Sequence, residues 1–204
     1  MRATLFGVPA SHPTLAAELM LRHKGIDYRR VDLVNAAHRT MLRAMGFPRK
    51  TVPALRLEGA KVQGTTAIAR ALDALVPVPP LFPADPERRR AVEEAESWGD
   101  EVLQPVPRRL IWNALKHDRS TLVTYLEGSK TGIPTPIATR TAAPIVAVSR
   151  RFNRATDDAV RRDLAALPGM IARVDELIEG RPAERLARDV VPDQPGRMPS
   201  VLAT

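Results

Sequence analysis

The chain has 204 residues, 31 basic against 23 acidic side chains, four histidines and no cysteine. That length can bury a real core in one domain or two small ones, and the lack of cysteine excludes a disulfide scaffold, a thiol–disulfide oxidoreductase and a cysteine-based zinc site. A net charge of +8 and a pI near 10.7 raise nucleic acid as a partner, but the arginines are dispersed and interleaved with carboxylates, as in RRRAVEEAE, where Arg89–Glu93 and Arg90–Glu94 stand at i,i+4. This pattern describes a solvated helix surface that attracts small anions, with no nucleic-acid partner.

Residues 2–8 (RATLFGV) predict a short apolar strand. Pro13 then opens a helix with Leu15, Leu19, Met20 and Leu21 on its apolar face, stopped by Gly25. A second strand is expected over residues 28–34, a second helix over 36–45, strands over 54–57 and 61–63 joined at Glu58-Gly59, and a third helix over 66–75. The order βαβ-α-ββα is that of a thioredoxin-like half-domain. The prolines of VPVPPLFPADP make residues 77–86 a stiff linker between domain 1–76 and a helical domain over 87–180. Asp85 and Pro86 start its first helix as N-cap and first residue, and Ala91, Val92, Ala95, Trp98, Val102 and Leu103 form a seam for the first domain or a twin subunit. Trp98 and Trp112 read as interdomain core. Further helices are expected over 120–127, 136–153 and 157–179, with Pro144 and Pro168 interrupting or kinking them. Residues 181–204, with Pro182, Pro192, Pro195 and Pro199, read as a disordered tail.

The most informative segment is RKTVPALRLEGAKVQGTTAIAR, residues 49–70. Pro53 cannot donate a ladder hydrogen bond, so it marks an edge strand or a cis peptide turn. If Val52-Pro53 is cis, the Val52 N–H and C=O turn toward solvent, where a small peptide could pair with them as an added strand. Ten residues on, Gly64 permits close backbone approach, Thr65 can cap the following helix, and the free N–H groups there attract a carboxylate. Together these features describe a site for a small acidic peptide. His12, His23, His38 and His117 lack paired metal spacing, so no metal site is expected; His12, beside Ser11, stands nearest the chemistry. With no apolar stretch long enough for a signal peptide or a membrane span, the sequence predicts a cytoplasmic protein with no membrane partner.

On LFGVPASHPTLAAELMLRHKGIDY, TVPAL and VQGTTAIARALD, in that order, residues 1–80 resemble the glutathione-binding domain of the glutathione S-transferases, and DPERRRAVEEAESWGDEVLQPV resembles the opening of that family's helical domain. The resemblance implies an α/β thioredoxin-like N-terminal domain plus an all-α C-terminal domain, able to form a homodimer. It implies no cofactor, with glutathione or a similar low-molecular-weight thiol as co-substrate. Ser11 falls where these enzymes contact the glutathione sulfur, Val52 and Pro53 where the cysteinyl backbone pairs, and Gly64 and Thr65 where the γ-glutamyl carboxylate binds. Lys50 is a candidate for the glycyl carboxylate, with Arg39 and His38 as rivals. Ser11 is equally a preferred N-cap, and the two roles are compatible. The last 25 residues depart from the family, lacking its Ser/Thr-x-x-Asp box and final apolar helix. Three functions follow as expectations. The first is a transferase joining the thiol to an electrophilic small molecule in an apolar pocket; the others are a non-catalytic binding or assembly module of the same fold, and a basic adaptor for anionic partners.

Overall fold

Leu5 and Phe6 are neighbours in sequence and lie on opposite faces of a sheet, because successive strand side chains alternate. In the computed structural model, which describes residues 2–34, 37–123 and 135–178, strand β1 (Ala3–Gly7) feeds two cores. Leu5 joins Leu21, Leu55, Ile68 and Leu72 on one face, and Phe6 joins Leu33, Leu42 and Phe47 on the other. The elements run β1, α1 (His12–His23), β2 (Tyr28–Asp32), α2 (His38–Ala44), β3 (Ala54–Leu57), β4 (Ala60–Gln63) and α3 (Thr65–Leu75). The sheet order is β2-β1-β3-β4, with β2 parallel to β1 and the other pairs antiparallel. Helices α1 and α3 supply the Leu5 face, and α2 the Phe6 face. Each fully buried leucine or isoleucine contributes about 1.5–3 kcal/mol, so this half carries a core of its own.

Three expectations change here. Strand β3 lies between β1 and β4, so Pro53 precedes a central strand and is no edge device; the Val52-Pro53 bond is cis. The buried stripe of α1 is Thr14, Ala17, Glu18 and Leu21, and Leu15 is 48% exposed, because the helix is rotated to set small residues against the sheet. A Cβ on Gly7 would fall on the Thr14 side chain, which shows how closely α1 approaches β1. The linker is more than a spacer. The buried ammonium of Lys24, at the end of α1, pairs with Asp73 and donates to the carbonyls of Val76 (2.7 Å) and Pro79. Asp73 also accepts from Leu81 N–H at 2.7 Å.

The helical part begins with α4 (Pro86–Trp98), whose N-cap Asp85 accepts from Arg88 N–H at 2.8 Å. A widened turn, Gly99–Leu103, joins it to α5 (Pro105–His117). In that turn Gln104 N–H reaches back five residues to Gly99 C=O (2.8 Å), since Pro105 and Pro107 bring no N–H to regular pairing. Then come α6 (Thr135–Arg140), α7 (Ala142–Asn153) and α8 (Asp157–Leu177). The expected single helix over 136–153 divides at Thr141, whose hydroxyl bonds back to Ile137 C=O at 2.9 Å. Pro144 sits harmlessly in the first turn of α7, and α8 continues through Pro168 at the loss of one backbone bond.

Trp112, Leu115, Leu122, Ala142, Val146 and Ala155 form the helical core. Arg109 forks onto Asp163 (Nη2–Oδ1 2.7 Å), and Asp157 takes Asn113 at 3.0 Å and Lys116 at 3.1 Å. No residue of α4 is fully buried, and Val92 and Val102 are 37% and 40% exposed, so within one chain the α/β half covers the seam only in part. Contact with the α/β half includes a polar pair, Arg70 and Glu96 at 2.9 Å. By contact the chain divides into Met1–Asp163, which holds the sheet, both α/β cores and the helical core, and Leu164–Thr204, whose described residues are mostly the later turns of α8. The expected tail over 181–204 lies outside the described residues, as does most of the helix expected over 120–127. Among the described residues no helix is long and apolar enough to cross a membrane.

Candidate functional site

Four separated segments of the α/β half meet at one cavity of about 530 Å³, completed by α5 and α7. That volume lies within the ~300–1,000 Å³ range of small-ligand pockets. Ser11, Lys50, Val52, Pro53, Gly64 and Thr65, all singled out from the sequence, line it together.

Ser11 arrives through a tight turn in which Ala10 takes φ +52°, a left-handed conformation uncommon for a residue with a Cβ. Its hydroxyl accepts the N–H of Thr14 at 3.3 Å and so caps α1. Acceptance uses a lone pair only, and the hydroxyl proton stays available to a further acceptor. Neither the N–H nor the C=O of Val52 has a hydrogen-bond partner among the described residues.

The loop before Val52 is held by a residue the sequence reading quoted without assigning a role. Gln63 is 5% exposed; its carbonyl accepts Arg49 N–H (2.7 Å) and its amide donates to the carbonyls of Arg49 (2.8 Å) and Thr51 (2.6 Å). All three bonds span twelve or more residues. Periodicity gives no sign of them, although a glutamine ending a strand beside a glycine was a visible oddity.

Helix α3 is capped differently from expectation. Gly64, at φ +93°, is the N-cap, and Thr65 is the first helical residue. The glycine adopts the cap conformation and accepts Ile68 N–H at 3.0 Å through its carbonyl, leaving the Thr65 hydroxyl uncommitted to capping. No side chain caps the first turn, so the N–H groups there stay open to an anion. Arg49 stands beside them, with Nη1 3.6 Å from where a Cβ on Gly64 would lie. Its position before Lys50 was the available signal.

Arg39 and His38 also line the cavity, with the Arg39 guanidinium 3.9 Å over the Phe152 ring. The His38 pKa is lowered by burial and then by Arg39, and its buried Nδ1 has no partner among the described residues. The helical wall presents Asp100 from the widened turn, Arg108, Ile111 and Trp112 from α5, and Phe152 from α7. Trp112 is thus both core and cavity wall, not core alone. His12 faces this wall; partial burial and then Arg108 lower its pKa, with Asp100 opposing, which favours the neutral imidazole.

Residues 5–80 match the family model of the glutathione S-transferase N-terminal domain. The beta-etherase LigF of Sphingobium sp. strain SYK-6 is 20% identical, with a TM-score of 0.62 over 86% of this chain and 73% of that one. The glutathione transferase GSTFuA3 of Phanerochaete chrysosporium is 18% identical, with a TM-score of 0.58 over 90% and 74%. No curated protein sequence matches. Residues 5–80 thus carry a domain of the glutathione S-transferase N-terminal type, and the chain shares the fold of these two solved structures.

Proposed function

We propose that this protein binds glutathione, or a similar low-molecular-weight thiol, as the thiolate and transfers it to an electrophilic small molecule. The observation that carries the reading is the meeting, in one cavity, of a hydroxyl, an unpaired backbone and an open helix start with basic side chains beside it. The Ser11 O–H donates to the sulfur. An ordinary thiol has a pKa of about 8.5, and one charge-assisted hydrogen bond worth roughly 1.5–3 kcal/mol brings much of it into the reactive form near neutrality. Val52 pairs with the cysteinyl backbone beside Pro53. The γ-glutamyl carboxylate rests on the Gly64–Thr65 helix start with Arg49, and Lys50 serves the glycyl carboxylate. The thiolate then forms a C–S bond as the leaving group departs with its electron pair; the thiol proton has already passed to solvent. A reduced thiol co-substrate suits the cytoplasm.

The alternative is a non-catalytic binding or assembly module, including a homodimer. The exposed Val92 and Val102, together with the capping duty of Ser11, favour it. Calorimetry separates the two. Glutathione should bind, Thr65→Val should weaken binding about tenfold, and Ser11→Ala should lower turnover about 10–100-fold with affinity changed less than threefold. Binding without turnover against a panel of aryl halides and epoxides would favour the module, and no binding at millimolar glutathione would end the thiol reading.

A further inference from the structure

The cavity holds more positive charge than a thiol peptide needs, and the surplus is on the wrong wall for it. Arg39, Arg49 and Lys50 come from the α/β half, where the two carboxylates of glutathione would bind. Arg108 comes from α5 of the helical half, half-buried, with no hydrogen bond or ion pair among the described residues. Asp100 is the single carboxylate lining the cavity among the described residues; it forms no ion pair with Arg108, and instead accepts from Gln104 at 3.4 Å. A guanidinium that loses part of its hydration without gaining a partner is costly, and a ligand anion would reverse that cost. Burial lowers the Arg108 pKa, with Asp100 opposing, which is the mark of a cation short of counter-charge. One turn along the same helix face, at i+3 and i+4, stand Ile111 and Trp112, and Phe152 faces the cavity from α7. Ile111 is 39% exposed, Trp112 shows only 8% of its surface, and the Phe152 ring is already covered by Arg39, so the helical wall is a small apolar surface with Arg108 beside it rather than the apolar pocket expected from the sequence.

Building on the thiol-transfer reading, we propose that the electrophile is an aromatic compound bearing an anionic group, its ring against Trp112 and Ile111 and its anion on Arg108. A flat ring suits the apolar surface that Ile111 and Trp112 give the cavity, and a carboxylate suits the two-pronged guanidinium.

The test uses three ligands in calorimetry: S-(4-carboxy-2-nitrophenyl)glutathione, its methyl ester, and S-methylglutathione, with free glutathione as reference. The carboxylate conjugate should bind about tenfold tighter than the ester, and the ester tighter than S-methylglutathione. Arg108→Gln should erase the carboxylate advantage and leave free glutathione binding within twofold. Since Arg108 makes no hydrogen bond or ion pair among the described residues, that variant should melt within about 2 °C of the parent. Equal binding of the two conjugates, with free glutathione still bound, would overturn the inference and spare the thiol reading. So would a carboxylate advantage that survives in Arg108→Gln, which would assign the anion to the α/β wall. An ester no tighter than S-methylglutathione would overturn the aromatic part. Failure of free glutathione itself to bind would remove both.

Discussion

The two walls of the cavity are built from different materials. The α/β wall offers backbone groups, the Val52 peptide and the start of α3, beside the Ser11 hydroxyl and the basic side chains of Arg39, Arg49 and Lys50. The helical wall is mostly side chain, set out from the turns of α5 and α7. Backbone groups cannot be exchanged by substitution, so a wall made of them recognises what is constant in a ligand. A side-chain wall can be altered one residue at a time without disturbing the fold, which suits it to the variable partner.

The severest way to break the contrast is to unfix the α/β wall from behind. Lys24→Met removes a buried ammonium from Asp73 and two carbonyls, and should cost about 3 kcal/mol, lowering the melting temperature by roughly 6–12 °C. Thermal denaturation followed by circular dichroism checks this; a loss under about 1 kcal/mol would mean the linker is not held through Lys24.

A finer cut goes through Gln63. Gln63→Leu strands the Arg49 N–H and the carbonyls of Arg49 and Thr51, so stability should fall by about 2 kcal/mol and glutathione affinity about tenfold, while the affinity difference between aryl conjugates stays. Loss of that difference as well would show that the walls are not separable.

The smallest effect is electrostatic and crosses from one wall to the other. His12 should titrate with a midpoint below 6.5 by NMR, because burial and the Arg108 charge both disfavour the imidazolium, and Arg108→Gln should move the midpoint upward. Between the folded midpoint and 6.5 the unfolded chain binds more protons, so this histidine's contribution makes stability rise with pH across that window. An unchanged midpoint in Arg108→Gln would place Arg108 out of electrostatic reach.

Legibility in the sequence follows the same division. Strand β3 was read with its observed bounds, 54–57, and β4 and α3 to within one residue, because alternation, turn glycines and proline are local signals. Helices α1 and α4 show how far local signals reach. Both carry apolar residues at helical spacing, yet α1 buries Ala17 and Leu21 completely and no residue of α4 is fully buried. Periodicity reports that a face exists, and only the neighbour decides whether it is covered. Even within α1 the covered stripe excludes Leu15, because the close approach at Gly7 turns Thr14 inward.

By itself the sequence determined the order of elements in the α/β half and its breakpoints at glycine and proline. Each depends on conformational preferences that act over a few residues. Only the tertiary structure decided that Gly64 rather than Thr65 caps α3, that Gln63 fastens the loop at Arg49–Thr51, and that Arg108 faces the cavity without an ion pair among the described residues. The last two outcomes depend on groups twelve or more residues apart being brought together, and spacing along the chain does not encode that distance.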